Sequence, residues 1–389
     1  MKKYDLFING EFKDSKYKRD IINPSNDETI ATVCMASAKD AKYAIESARA
    51  AFDQGSWKDI SLADRKSILL KISEGILSKA KELAELESLN SGKPIKETTF
   101  MDIPSAAATF EYFANNLEKY LSSEAQDIQS RIAKVKATFL REPRGVVVLI
   151  VPWNYPLLIA SWKMAQALAA GNAVILKPSS LTPLTALELA KIVKEAGVPD
   201  GIVNVIPGPG EEVGEILCSS NLVDMISFTG SNAVGKKILE YSAKSVKKLI
   251  MELGGKSASI ILKDADLEAA VNGSLCSIFL NQGQMCTATS RILIEESIYD
   301  AFVSQFVEKA KKIKIGDSLD FQSQIGPLAS RFQCDRVISY VAKAKREGSK
   351  LLCGGKIPED EALKKGFFFE PTVFEGVSPD SAIFQEEIF

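Results

Sequence analysis

Cys286 closes the run Asn281-Gln282-Gly283-Gln284-Met285-Cys286-Thr287 in a 389-residue chain that contains no histidine. A nucleophilic cysteine usually borrows a base, most often histidine. Composition therefore excludes Cys-His and Ser-His-Asp catalysis, and any His-ligated metal. Covalent chemistry at Cys286 needs a carboxylate instead. The string Met251-Glu252-Leu253-Gly254-Gly255-Lys256 offers one, beside two glycines that leave it open to a ligand. A cysteine without histidine and a glutamate beside glycines point away from peptidases and toward carbonyl oxidation.

Each of these residues has a plainer reading. Most cysteines are small buried hydrophobes, although Gly283 permits close approach and Gln282 and Gln284 are polar within an apolar helix-to-strand junction. Glu252 could be a salt-bridged surface carboxylate. Its place after Leu249-Ile250-Met251 predicts partial burial instead, with a raised pKa suited to a base near neutrality. In Pro152-Trp153-Asn154-Tyr155-Pro156 an asparagine sits inside an apolar run and needs a partner for its amide. It either caps a turn or donates to an oxyanion, and the segment alone leaves both readings open.

The elements that must position these residues follow a rhythm. Helices are expected over 40–54, 63–90 and 104–121, so that the first third reads as mostly helical. Residues 122–141 partly alternate and predict an exposed hairpin. Strands at 146–151, 173–177, 202–206, 224–228 and 248–252 then alternate with amphipathic helices, which implies a parallel sheet covered on both faces. The pattern restarts after Gly255 with strands at 258–262 and 291–295 and helices at 266–280, 298–313 and 329–347. The reading is an α/β protein: a doubly wound, Rossmann-like parallel sheet (1–121 and 142–254), a small hairpin (122–141) and a second α/β domain (255–389).

In such a sheet, ligands bind beyond the carboxyl ends of the strands, where helix N-termini present free N–H groups. Three turns are prepared for this: Lys177-Pro178-Ser179-Ser180, Gly208-Pro209-Gly210 with Gly214, and Phe228-Thr229-Gly230-Ser231 with Gly235. A single glycine turn is ordinary, and the 208–214 spacing is not the dinucleotide fingerprint. Three prepared turns on successive strands carry more weight than one.

Bulk properties narrow the class. Apolar residues make up 46% and charged residues 25%, with a net charge of −2, which suits a soluble globular protein and offers no nucleic-acid surface. Cysteines 34, 218, 276, 286, 334 and 353 are scattered without a Cys-x-x-Cys pair, so neither zinc nor a disulfide framework is expected. No signal-peptide core follows Met1, and a cytoplasmic location is the expectation. Residues 145–162 lack charge, but Pro152, Asn154 and Pro156 interrupt them, which favours a strand and turn over a membrane span.

These motifs together resemble the aldehyde dehydrogenase superfamily. Pro152-Trp153-Asn154, Lys177-Pro178, Phe228-Thr229-Gly230-Ser231, Glu252-Leu253-Gly254-Gly255-Lys256 and Gly283-Gln284-Met285-Cys286 occur in the family's order and spacing, and the similarity runs from Phe7-Ile8-Asn9-Gly10 to the last residue. Within the family the chain is most similar to betaine and amino-aldehyde dehydrogenases, especially across Trp153 to Asn172. The resemblance implies NAD or NADP as cofactor. The Cys286 thiolate attacks an aldehyde, and Asn154 with the Cys286 backbone N–H holds the oxyanion. Glu252 activates water to release an acid, and its presence favours hydrolysis over acyl transfer to coenzyme A.

The resemblance also implies cofactor positions. Trp153 and Lys177 lie along the adenosine half, Lys177 counting also among the catalytic residues, with Gly210 and Gly214 on the adenine side. Gly230 and Ser231 meet the pyrophosphate with Val234 nearby, and Pro152, Phe228 and Leu253 are further cofactor contacts. Gln333, Glu387 and Phe389 lie about the nicotinamide ribose. Ser180 stands where many NAD-specific relatives carry glutamate, so NADP acceptance, even preference, is expected. Phe100, Tyr155, Trp162, Leu280, Met285 and Thr287 take tunnel positions. Aromatics there suit a cationic amino-aldehyde or betaine aldehyde, but they serve aliphatic aldehydes and semialdehydes equally. Leu280 and Phe100 replace tryptophans of some plant amino-aldehyde enzymes.

Glu387-Ile388-Phe389 stops inside a motif that the family continues with Gly-Pro and a further segment, so a truncated chain is expected. A homodimer or homotetramer is implied, and no metal. The rival readings are a non-catalytic family member acting as a structural or binding protein, and a thiol transferase or peptidase. The first is disfavoured by the complete Cys286, Glu252 and Asn154 set, the second by the missing histidine.

Overall fold

A computed structural model describes residues 2–121, 126–128, 135 and 137–389. Its centre is a seven-stranded sheet. The strands, in chain order, are β1 (Leu6–Ile8), β2 (Glu11–Lys13), β3 (Val146–Ile150), β4 (Ala173–Lys177), β5 (Val203–Val205), β6 (Met225–Thr229) and β7 (Lys248–Glu252). In space they run β7-β6-β3-β4-β5-β1-β2, and β7 through β5 are mutually parallel. The chain steps outward from β3 to β5, then returns to the other side of β3 to lay down β6 and β7. The order therefore reverses between β3 and β6, and in a doubly wound sheet the crevice at such a reversal receives the ligand.

The sequence explains these strands directly. Val146-Val147-Val148-Leu149 and Ala173-Val174-Ile175-Leu176 are buried along their length, as strands covered on both faces must be. The edge strand β7 instead alternates, with Lys248, Ile250 and Glu252 exposed. Helices Pro156–Ala169, Leu184–Glu195 and Asn232–Ser242 pack about the sheet, the last capped by the Ser231 hydroxyl. One apolar core runs from Tyr4 to Ile238, and a separate cluster gathers Ile261, Val271, Phe302 and Phe306 around the parallel pair Ala258–Ile261 and Arg291–Ile294. No helix among the described residues is long and apolar enough to cross a membrane.

The first 35 residues, ahead of the expected helices, form five strands. Asn9 and Gly10 both take positive φ and close a two-residue hairpin, with Ile8 opposite Glu11, that adds an antiparallel pair to the sheet edge at Val205. Asn-Gly is a strong hairpin signal because both residues tolerate the left-handed region. The helix expected over 63–90 is two helices, Leu62–Ser78 and Ala80–Ser91, meeting at Lys79. The described part of the expected 122–141 hairpin pairs Gln126–Ile128 with Ala137–Phe139, and the rest lies outside the described residues.

Candidate active site

Five adjacent strand ends converge on one edge of the sheet. Pro152, Trp153 and Asn154 follow β3, Lys177 ends β4 and Gly208 follows β5. Gly230 and Ser231 follow β6, and Glu252 ends β7. Trp153 and Gly230 thus flank the reversal point. Here glycine is required by space: a Cβ on Gly230 would lie 2.5 Å from the Phe228 ring, and one on Gly235 would lie 2.7 Å from Leu253. Gly210 faces open space and Gly214 lies against the Lys177 side chain.

Lys177 is buried, and its amine has no hydrogen-bond or ion-pair partner among the described residues. Burial pushes its pKa down to about 8, partly offset by the nearby Cys218. The Ser180 hydroxyl donates to the Gly208 carbonyl at 3.0 Å. Ser231 and Val234 are exposed at the start of their helix.

The nucleophile loop is held from below. Asn281 (φ 50°) and Gln282 (φ 56°) take consecutive left-handed conformations before Gly283. Non-glycine residues so placed cost of order 1–3 kcal/mol each and need support. The Asn281 backbone N–H donates to both Glu97 oxygens, at 3.2 and 3.0 Å, and its side chain donates to the Asn154 carbonyl at 3.0 Å. The Gln282 amide donates to the Gly92 and Pro327 carbonyls at 2.6 and 2.8 Å. Gln284 accepts from the Ala329 N–H at 3.0 Å. The glutamines that looked anomalous in sequence are the pins of this loop.

Asn154 is buried, and its amide donates to the Gln284 carbonyl at 2.7 Å, which ties it to the loop two residues before Cys286. Its Oδ1 is buried without a partner. Of the two sequence readings, the structure shows the backbone one: the side-chain amide donates to a main-chain carbonyl. Gly255 lies against the Cys286 carbonyl, so the Glu252 strand end and the cysteine loop adjoin.

One expectation about the reacting groups is corrected, that for Glu252. Cys286 is exposed, and its thiol is pushed up. Desolvation is the main cause, and the negative Glu387 and Glu252 add to it against the backbone N–H groups of Cys286 and Thr287. Glu252 is exposed instead of partly buried, because β7 is the sheet edge and its even positions face outward.

Glu387 accepts from the Gly255 N–H at 3.2 Å. Arg336 donates to the Glu387 and Ile388 carbonyls, and Gln333 to the Ile388 and Phe389 carbonyls. Phe389 meets the Trp153 ring edge-on at 5.2 Å. These ties draw the nicotinamide-side candidates to the cysteine loop, around a cavity of about 560 Å³ that Gly255, Gln282, Met285, Glu387 and Phe389 help to line. Leu280 and Met285 are half-buried and Thr287 is exposed. Phe100 is exposed against Phe321, and Trp162 is also exposed. Tyr155 is half-buried beneath the Lys93 amine, which sits 3.4 Å over its ring.

The matching family model is the aldehyde dehydrogenase family, over residues 12–389. The chain belongs to this family. Like other aldehyde dehydrogenases, it is an NAD(P)-dependent oxidoreductase. The betaine aldehyde dehydrogenase of Bacillus subtilis (strain 168) is 46% identical over 386 residues, covering 99% of this chain and 78% of the relative. A peroxisomal aminoaldehyde dehydrogenase of Malus domestica is 41% identical, covering 99% and 77%. A solved NAD+ complex of betaine aldehyde dehydrogenase from Staphylococcus aureus superposes with a TM-score of 0.96 at 40% identity, covering 99% of this chain and 76% of that one.

Sequence reasoning missed Lys163. It is half-buried on the helix after β3, donates to the Ser227 hydroxyl at 2.7 Å, and is lowered to about 8 by burial while the charge of Glu252 opposes the shift. A lysine nine positions after Asn154 carries no local signal, since only the β3–β6 pairing brings it beside Ser227.

Proposed function

We propose that this chain oxidises an aldehyde to a carboxylic acid through a thiohemiacetal and then a thioester on Cys286. The observation that carries the reading is the joining of Asn154, the Cys286 loop and the Glu252 strand end beside the ligand crevice of the sheet. The cradle fits a dinucleotide: it offers a lysine at the end of β4 (Lys177), a helix N-terminus at Ser231 and a glycine, Gly230, beside it. Bound NAD(P) supplies the hydride acceptor. We place the dinucleotide in residues 1–121 and 142–254, and the catalytic loop in 255–389.

The remaining work falls to this chain's own groups. Cys286, exposed, gives its proton to solvent water, and the thiolate adds to the aldehyde carbon. The free N–H of Asn154 and the Cys286 backbone N–H meet the developing oxyanion. Loss of hydride from the same carbon leaves the thioester. Glu252, exposed and unconstrained, takes a proton from water, and that water displaces the thiol. Because the Ser180 hydroxyl already donates to Gly208, serine contributes to NADP acceptance by removing repulsion. Neutralisation of a 2′-phosphate falls to Lys177.

The substrate reading is a betaine aldehyde or amino-aldehyde. A broad aliphatic or semialdehyde range is favoured by one observation: Lys93 already covers one face of Tyr155, which closes that face to a second cation. Steady-state kinetics with an aldehyde panel decide. A kcat/KM for betaine aldehyde above that for an uncharged aldehyde of equal length supports the first, and the reverse order supports the second. A homodimer or homotetramer in the cytoplasm belongs to the same proposal, and sedimentation of the purified protein tests the assembly.

A further inference from the structure

Beneath the cysteine loop lies a closed ionic cluster with three carboxylates and one amine. Lys93 is wholly buried and pairs with the Asp102 carboxylate, while its amine also rests on the Tyr155 ring. Glu87 accepts from the Leu157 N–H at 3.3 Å and the Thr185 hydroxyl at 2.5 Å, and so supports the helix that follows Asn154. Glu97 differs. Both its oxygens are spent on one backbone N–H, that of the left-handed Asn281. The Asn281 side chain in turn holds the Asn154 and Gln284 carbonyls, and the Asn154 amide rests on that same Gln284 carbonyl.

We propose that Glu97 is a positioning residue for the chemistry at Cys286: its ionised carboxylate clamps Asn281 and thereby sets both the sulfur and the Asn154 amide. The inference rests on Cys286 being the nucleophile. Asparagine accepts a left-handed conformation readily, but Gln282 beside it does so less readily, so the pair needs an outside acceptor. A carboxylate meets that need more strongly than a neutral acceptor. On protonation one oxygen becomes a donor aimed at an N–H, and the clamp opens.

The surroundings make this opening reachable. Burial pushes Glu97 up to about 7, against the pull of Lys93 and the Asn281 N–H and with the push of Asp102. Glu87 is raised to about 7 in the same way but touches no residue of the loop. Tyr155 is raised by burial first, then by Asp102, Glu97 and Cys286, so it stays neutral throughout. As pH falls through about 7, Glu97 gains a proton and the loop loses its anchor.

The test reads the pH dependence of Cys286 alkylation by iodoacetamide, followed by peptide mass spectrometry, in the wild type, Glu97→Gln, Glu97→Ala and Glu87→Gln. A thiol titrating alone loses tenfold in rate per pH unit below its pKa. The wild type is expected to lose more than tenfold per unit below about pH 7, and Glu97→Gln to return to tenfold throughout. Glu87→Gln should keep the steeper limb. Near pH 8, Glu97→Ala should lose roughly 10–100-fold in kcat/KM with the dinucleotide KM unchanged. Profiles that superimpose for the wild type and Glu97→Gln, or a limb lost in Glu87→Gln and kept in Glu97→Gln, overturn the proposal. If Glu97→Ala does not fold, the Glu97→Gln profile still decides. A Cys286→Ala variant that still oxidises aldehydes sinks the underlying reading, whatever Glu97 does.

Discussion

Glu97 and Glu252 serve one cysteine loop and are held in opposite ways. Glu97 is buried, and both its oxygens are committed to a backbone N–H. Glu252 sits at the exposed end of an edge strand; its carbonyl accepts from the Gly230 N–H at 3.0 Å, and its carboxylate has no hydrogen bond among the described residues. A carboxylate that must fix a loop gains from burial, because its bonds strengthen in low dielectric. One that must collect a proton from water and release it gains from freedom and access. The difference separates a group that sets geometry from a group that moves protons.

The largest expected effect removes what both glutamates serve. Cys286→Ala should lower turnover by more than about 10³-fold while calorimetric dinucleotide binding stays intact. Glu252→Gln comes next, with a loss of roughly 10³-fold in steady-state turnover. A stopped-flow burst of reduced cofactor, one per active site, should survive in that variant. A lost burst would place Glu252 in acylation and erase its contrast with Glu97. Asn154→Ala should cost roughly 10²-fold in the burst rate itself, the usual scale of one oxyanion donor.

The smallest effect lies at the cofactor end. Lys177→Met should raise the NADP KM about tenfold near neutrality. The amine is pushed down to about 8, so it carries charge below that pH and loses it above. The wild-type NADP KM should therefore rise as pH passes 8 while that of the variant stays flat. Parallel profiles would mean that Lys177 meets no phosphate.

The strands from Val146 to Glu252 could be read from sequence because each is a short β-branched run between amphipathic helices, a pattern that local sequence encodes. The N-terminal strands include local hairpins, Leu6–Ile8 with Glu11–Lys13 and Tyr17–Asn23 with Glu28–Met35, but only distant pairing places them: Lys2–Tyr4 pairs with residues 31–33, and the Asn9-Gly10 hairpin joins the sheet at Val205. Reading Asn-Gly as a hairpin would have recovered part of this. The electrostatics were the hardest to read. The half-buried Glu252 failed because exposure follows from which strand ends up at the sheet edge.

Residue identity alone settled the chemistry this chain can attempt: no histidine, a cysteine among glycines and glutamines, a glutamate before Gly254-Gly255, and lysine and glycine at successive strand ends. Those constraints are covalent and local, and no fold could add a missing side chain. Tertiary structure alone decided which groups share a site and in what protonation state. Glu97 reaches Asn281 across 184 positions of chain, and Lys163 reaches Ser227 across 64. Burial and neighbouring charge then set their proton affinities, and both are properties of the packed molecule.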